Sequence, residues 1–366
     1  MVNSLKYGRV HNFYAGPAAI PLEVMEQIHS EWFNFGGSGM GLMELSHRSK
    51  EYDAVHMGTI EKVKKLLGVG DDYHVMLLQG GASLQFGVLP MSMLGEGKTA
   101  DYINTGAWSD KAIKEAKKIA DINVAFEGKD VDFKRLPKPG ELKLTDGAEY
   151  LYYCSNNTIK GTQFFTEPGD GKTPLVCDMS SDIFSHRLDG NKYAMIFAGA
   201  QKNLGPSGVT LVVMRDDFYQ KARTDLTTML CYKTHVEKDS LYNTPNTFGI
   251  YTMGLVLQWI LDQGGLEGVE KINRAKADLL YGYMDQSGFY NGAVDKDSRS
   301  WMNVCMRLPN EELEAKFVAD GKAAGFLGLK GHRSVGGIRV SMYNASNLAS
   351  IEALVGFMKD FKADTG

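Results

Sequence analysis

Apolar positions in the middle of the chain come in short runs that alternate with amphipathic stretches. Residues 73–79 (YHVMLLQ) read as a strand that enters Gly80-Gly81-Ala82-Ser83, with an apolar helix-like run behind it. Residues 99–104 give a second strand, ending in Thr105-Gly106-Ala107-Trp108. Ser109 then stands where an N-cap would open a helix over DKAIKEAKKIA. Further strands are predicted over 149–154, 174–177, 193–198 and 209–214. Asp178 ends the 174–177 run, and Gly199-Ala200-Gln201-Lys202 ends the 193–198 run. Strands alternating with helices imply an α/β fold with a mostly parallel, mixed sheet flanked by helices. The pattern changes after about residue 250. Helical runs over 251–260 and 268–284 precede strand-like runs at 301–307 and 337–342, separated by another helical stretch. We expect a large domain over 15–265 and a smaller α+β domain made of 1–14 and 266–366.

In open parallel α/β sheets ligands bind beyond the carboxyl ends of the strands. Several strand ends here carry unusual residues. Gly80-Gly81-Ala82-Ser83 could turn successive N–H groups and a helix N-terminus towards a phosphate, or be a plain strand-to-helix turn. Trp108 could stack on a flat ring, or be core. Asp178 could meet a cationic ring nitrogen, or cap the turn that holds Ser180 and Ser181. Lys202 lies among small residues after a buried strand. Desolvation there would give a neutral, nucleophilic amine of the kind a Schiff-base lysine needs; a solvated loop lysine is the alternative. Together, a phosphate cradle, an aromatic platform, a carboxylate and a lysine are the groups that pyridoxal phosphate requires.

Composition narrows the field without deciding it. The chain has 366 residues, 43% of them apolar, and a formal net charge of −4. That is ample for a large core and offers no basic surface for nucleic acid. The four cysteines, Cys154, Cys177, Cys231 and Cys305, show no C-x-x-C spacing and suit a reducing compartment. The N-terminus lacks an apolar signal region, and no run approaches a membrane span, so a cytoplasmic placement is expected. Gly97-Lys98-Thr99 and Gly171-Lys172-Thr173 end like a nucleotide-binding P-loop. That loop needs a glycine five residues earlier, where Ser92 and Thr166 stand. No metal-type spacing of Cys and His is found.

The chain resembles the phosphoserine aminotransferases, class V members of the pyridoxal-phosphate fold-type I enzymes. The resemblance rests on Asn12-Phe13-Tyr14-Ala15-Gly16-Pro17-Ala18, Glu44-Leu45-Ser46-His47-Arg48, residues 80–86, 102–108, 153–158, 198–208 and 242–248, and Gly331-His332-Arg333 with Gly336-Gly337-Ile338-Arg339-Val340-Ser341. It implies amino transfer between glutamate and 3-phosphohydroxypyruvate in serine biosynthesis. It also implies that Lys202 holds the cofactor as a Schiff base and that Ala82, Ser83 and Gln201 hold its phosphate. Trp108 would stack on the ring, Thr158 would contact the ring hydroxyl, and Asp178 would pair with the ring nitrogen. By the same resemblance Arg339 takes the substrate α-carboxylate, and His332 and Arg333 meet the substrate phosphate. His47, Arg48, Asn243 and Thr244 would reach a neighbour's site, making the enzyme a homodimer with composite sites. Two departures stand out: Ala15 occupies a position often held by serine, and Ala82-Ser83 replaces the Gly-Arg of some relatives. A cysteine desulfurase, from the same class, would need a mobile cysteine late in the chain, and none follows Cys305.

Overall fold

The computed structural model describes residues 5–366; the first four residues of the polar N-terminus read above lie outside the described residues. Its centre is a seven-stranded sheet in the order Tyr73–Leu78, Thr210–Arg215, Met195–Gly199, Leu175–Asp178, Leu151–Cys154, Asp101–Asn104, Asn123–Glu127. From Met195–Gly199 to Asn123–Glu127 all pairings are parallel. Thr210–Arg215 runs antiparallel to both of its neighbours. The link from 199 to 210 has no crossover helix, so the chain can only fold back beside the strand it has left. Two reversals restore the original direction in Tyr73–Leu78. The carboxyl ends of six of the seven strands therefore open on one edge of the sheet.

Both faces are buried, which is why the strands read as nearly continuous apolar runs. Val75, Leu77, Cys177, Ile196, Ala198, Leu211 and Val213 belong to one core. Their alternates Met76, Leu78, Val176, Met195, Phe197, Val212 and Met214 belong to another. A third core gathers Phe13, the Gly265–Ser287 helix, the Leu348–Thr365 helix and the antiparallel strands Asn303–Arg307 and Ile338–Ser341.

Three local expectations change. Ser109 is not an N-cap: the helix spans Ala107–Ala116, with Gly106 at its cap. Ser109 lies inside the first turn, where its hydroxyl accepts the N–H groups of Thr105 and Gly106 at 2.9 and 3.0 Å. Trp108 consequently sits in the first turn of that helix. Gly106 has φ 153°, and a Cβ there would lie 2.3 Å from Asn157 Nδ2, so the turn requires glycine. Asp178 is the last residue of its strand and does not follow it. The edge strand Asn123–Glu127 and the long C-terminal helix carried no reading in the sequence. Among the described residues no helix is long and apolar enough to cross a membrane.

Candidate active site

A cavity of about 590 Å³ lies at the carboxyl edge of the sheet, lined by Ala82, Ser83, Trp108, Thr158, Asp178, Gln201, Lys202, His332 and Arg339 among others. Each strand end delivers one part. The 73–78 strand leads into the Gly81–Met93 helix through Gly80 and Gly81, both at positive φ. No side chain caps this helix. Its first N–H groups have no partner one turn back and face the cavity together with the positive end of the helix dipole. Gly81 N–H is the exception, held by Thr210 Oγ1 at 2.7 Å.

Asn157 ties two neighbouring strand ends together. Its amide donates to Thr105 O at 2.6 Å, and its Oδ1 accepts from Ile159 N at 3.0 Å. Thr158 is thereby held with its hydroxyl 3.2 Å from Lys202 Nζ. Lys202 follows the Met195–Gly199 strand, and its Nζ lies 5.8 Å from the Trp108 ring centroid. Gly16 passes close by at φ 138°, where a Cβ would come within 3.5 Å of Lys202 Cγ. Desolvation pushes the Lys202 amine below its ordinary pKa, opposed by the Asp178 carboxylate.

Asp178 is 3% exposed. Its Oδ1 accepts from both the N–H and the hydroxyl of Ser180, at 2.9 and 2.6 Å. The turn-capping role considered for Asp178 is therefore real and leaves the second oxygen available. Burial raises the Asp178 pKa, moderated by the Ser180 hydrogen bonds and the Lys202 charge. Ser180, read in the sequence only as part of the turn that Asp178 could cap, is a supporting residue, and its place two residues after Asp178 is the spacing of a side chain bonding its own turn.

Arg339 does not point to solvent, as its alternating strand would suggest. It is partly buried, and one guanidinium nitrogen donates to Thr158 O at 3.2 Å. Its Nε and the Trp108 Nε1 are buried without any partner. Both residues line the cavity, and buried donors without partners are uncommon in a folded chain. His332 lines the same cavity with Nδ1 2.7 Å from Ser334 Oγ. Desolvation lowers its pKa, and the Arg339, Arg333 and Lys111 charges lower it further. Arg333 is exposed beside it and does not line the cavity. His47, Arg48, Asn243 and Thr244 also stay outside; Asn243 Nδ2 turns to Thr244 O at 3.3 Å. The P-loop look-alikes are unrelated to the site. In one of them Asp170 Oδ1 accepts from Lys172 N and Thr173 N, closing the loop on itself.

The residues present suit pyridoxal phosphate: a helix N-terminus for its phosphate, a buried carboxylate for its ring nitrogen, an aromatic ring and a desolvated amine. A sequence profile of the Aminotransferase class-V family matches residues 10–354. Phosphoserine aminotransferase of Desulfosudis oleivorans is 51% identical over 360 residues, 98% of this chain and 99% of the relative. The chain belongs to the phosphoserine aminotransferase family. The solved phosphoserine aminotransferase from Bacillus circulans subsp. alkalophilus superposes with a TM-score of 0.96 at 52% identity, covering 98% of this chain and 99% of that one. A PLP-bound phosphoserine aminotransferase from Trichomonas vaginalis gives 0.91 at 36% identity, covering 96% and 100%. The chain is a class-V, fold-type I, pyridoxal-phosphate-dependent transaminase, as the motifs led us to expect.

Proposed function

We propose that this phosphoserine aminotransferase family member transfers an amino group from glutamate to 3-phosphohydroxypyruvate, yielding O-phospho-L-serine and 2-oxoglutarate, for serine biosynthesis. The observation that carries this reading is the convergence of a desolvated lysine, a buried carboxylate and a half-satisfied arginine on one cavity. When bound, pyridoxal phosphate supplies an aldehyde that condenses with amines and a ring that accepts the electron pair left by the α-proton. The remaining work falls to the chain. The N–H groups of Ala82 and Ser83, with Gln201, hold the cofactor phosphate. Trp108 covers the ring, Thr158 meets its hydroxyl, and Asp178 keeps the ring nitrogen protonated. Lys202 would anchor the cofactor and, once displaced by the substrate amine, take the α-proton on Nζ and return it to the cofactor's former aldehyde carbon, across the shared nitrogen. Its lowered pKa leaves more of the amine neutral, and therefore basic, at working pH. Arg339 holds the α-carboxylate with the donors that Thr158 O does not use. Steady-state formation of 2-oxoglutarate from glutamate should require 3-phosphohydroxypyruvate; equal rates with pyruvate would reject the substrate assignment.

The active form is a homodimer whose sites are shared. Within one chain His47, Arg48, Asn243 and Thr244 are stranded away from the cavity, while an unusual set of large apolar side chains is exposed. Phe33 is 84% exposed, Met43 62% and Tyr242 50%. Exposed apolar side chains, with Met43 and Tyr242 close in sequence to the stranded residues, suit a second copy. The partner's Asn243 and the partner's Thr244 then reach the cofactor phosphate, and the partner's His47 and the partner's Arg48 join His332 and Arg333 at the substrate phosphate. Mixing Arg48→Ala subunits with Lys202→Ala subunits should restore a fraction of activity, because one site of each hybrid escapes both changes. Verified hybrids with no recovery would show that each subunit builds its own site.

His332 should make phosphoserine binding depend on pH. In the free site its pKa lies below the ordinary histidine value, so it is neutral at pH 7 and above. A phosphate dianion beside it favours the imidazolium, so binding takes up a proton. Affinity for phosphoserine should fall as pH rises above about 7, where the phosphate is already dianionic, by at most about tenfold per unit. His332→Asn should flatten that slope. An unchanged slope in the variant would remove His332 from the phosphate site.

A further inference from the structure

Near Asp178 lies a second carboxyl that the proposed reaction does not use. Asp182 follows the Leu175–Asp178 strand by one turn and is 2% exposed. Its partners are neutral: the Ser155 hydroxyl at Oδ1 and the Gln163 amide at Oδ2, the latter 3.2 Å away. No cation hydrogen-bonds to it among the described residues; Lys202 acts on it only through space. A bare carboxylate in such a place is unfavourable.

The hydrogen bonds around Asp182 favour a proton on it. Trp301 N–H donates to Gln163 Oε1 at 2.9 Å, which fixes the amide so that Nε2 donates to Asp182 Oδ2. That oxygen is therefore an acceptor. Ser155 Oγ touches two further oxygens, Asp182 Oδ1 and the Asp178 carbonyl at 3.2 Å. A hydroxyl has one proton and can donate to only one of them. With Asp182 ionised, Ser155 Oγ donates to it and the 3.2 Å approach of Ser155 Oγ to the Asp178 carbonyl carries no hydrogen, although that carbonyl still accepts the Ser155 N–H at 3.1 Å. With a proton on Asp182 Oδ1, that atom donates to Ser155 Oγ, Ser155 donates to the Asp178 carbonyl, and every contact is filled.

We infer that Asp182 is a neutral, protonated positioning residue that ties the end of the Asp178 strand to Ser155 and Gln163 while leaving Asp178 the only carboxylate available to the ring nitrogen. The part concerning the ring rests on the reading of Asp178 given above. Burial and the Asp178 charge act in the same direction, pushing the Asp182 carboxyl up to about 7. The other titratable groups that sense Asp182, besides Lys202, are Cys154, Cys177, Tyr193 and Tyr343, and burial raises all four so that they stay uncharged. A second carboxylate would make Asp178 easier to protonate and loosen its hold on the ring proton. A neutral acid supplies the same hydrogen bonds without that penalty.

The test is infrared difference spectroscopy of holoenzyme against Asp182→Asn at about pH 6, below the Asp182 pKa. The substitution should remove a protonated-carboxyl C=O stretch. Loss of a carboxylate band pair instead would overturn the inference. The pH titration of the bound cofactor's visible absorption gives a second reading. Neutral replaces neutral, so its midpoint should move by less than about half a unit, whereas a shift of about one unit or more would show that a charge had been removed. Should Asp182→Asn fail to fold, wild-type enzyme with carbon-13-labelled aspartate provides the same band. Its absence at about pH 6 would equally overturn the inference. Failure of the Asp178 reading looks different: Asp178→Asn would leave the visible absorption and its titration unchanged while the infrared result for Asp182 stood.

Discussion

Lys202→Ala should lose amino transfer by at least about 10⁴-fold, the upper range for removing a positioned acid–base group, because the same residue also anchors the cofactor. The loss should fall on kcat, since Arg339 and the phosphate-binding groups still hold substrate. The variant should retain some pyridoxal phosphate without a covalent bond, because Ala82, Ser83, Gln201 and Asp178 are untouched. Borohydride treatment of the wild type, followed by peptide mapping, should place the label on the Lys202 peptide and nowhere in the variant. The geometry makes this specific. Lys202 is the lysine beside Thr158 and Trp108 and is shifted by burial next to Asp178. Lys98 pairs with Glu149 at 3.3 Å, away from the cavity. Label on Lys98 or Lys172 would contradict the site as described.

Removing the substrate phosphate should cost nearly as much. In the proposed shared site a phosphomonoester would bring close to two negative charges and three acceptor oxygens to His332, Arg333, the partner's His47 and the partner's Arg48. Charge-assisted hydrogen bonds contribute about 1.5–3 kcal/mol each, and two or three lost together come to roughly 4–6 kcal/mol. Serine should therefore react about 10³–10⁴-fold more slowly than phosphoserine in kcat/KM. Glutamate escapes this loss because its side-chain carboxylate borrows part of the same cluster. Arg333→Ala should then harm phosphoserine more than glutamate, by about 10–100-fold against a smaller loss. Arg339→Ala should harm both, since it holds the α-carboxylate common to them. Arg333→Lys should rescue only in part, because a point charge cannot reproduce the planar fork. Equal losses for the two donors in Arg333→Ala would show that this residue does not read the phosphate.

What the sequence made legible is the sheet and the chemistry at its carboxyl edge. The apolar runs ending in Asp178 and Lys202 mark strands buried on both faces, and a charged residue just past such a run has few harmless explanations. Asn123–Glu127 was not legible because it is an edge strand of mixed polarity, with only Ala125 fully buried. Ser109 misled because a serine can satisfy the same turn from inside the first turn as from the cap, and Gly106 supplied the conformation the cap needed. The split between residues that line the cavity and residues that do not was also hidden. His332 and Arg333 are adjacent in sequence, yet one lines the cavity and the other faces solvent. Asp182 gave no local signal because its burial arises from Ser155 and Gln163, which arrive from elsewhere in the chain. Arg339 looked outward by strand alternation and was turned to use by the close approach of Thr158.

The central claim is that this cavity runs the phosphoserine and glutamate halves of one transamination. The most direct test is the single-turnover half-reaction of purified holoenzyme with phosphoserine, glutamate and alanine, followed through the cofactor's visible absorption. Phosphoserine and glutamate should each discharge the absorption fully, while alanine, with no second anionic group for the His332–Arg333 cluster, should lag by about 10³-fold or more. Alanine reacting as fast as phosphoserine, or no absorption change with phosphoserine, would contradict the account.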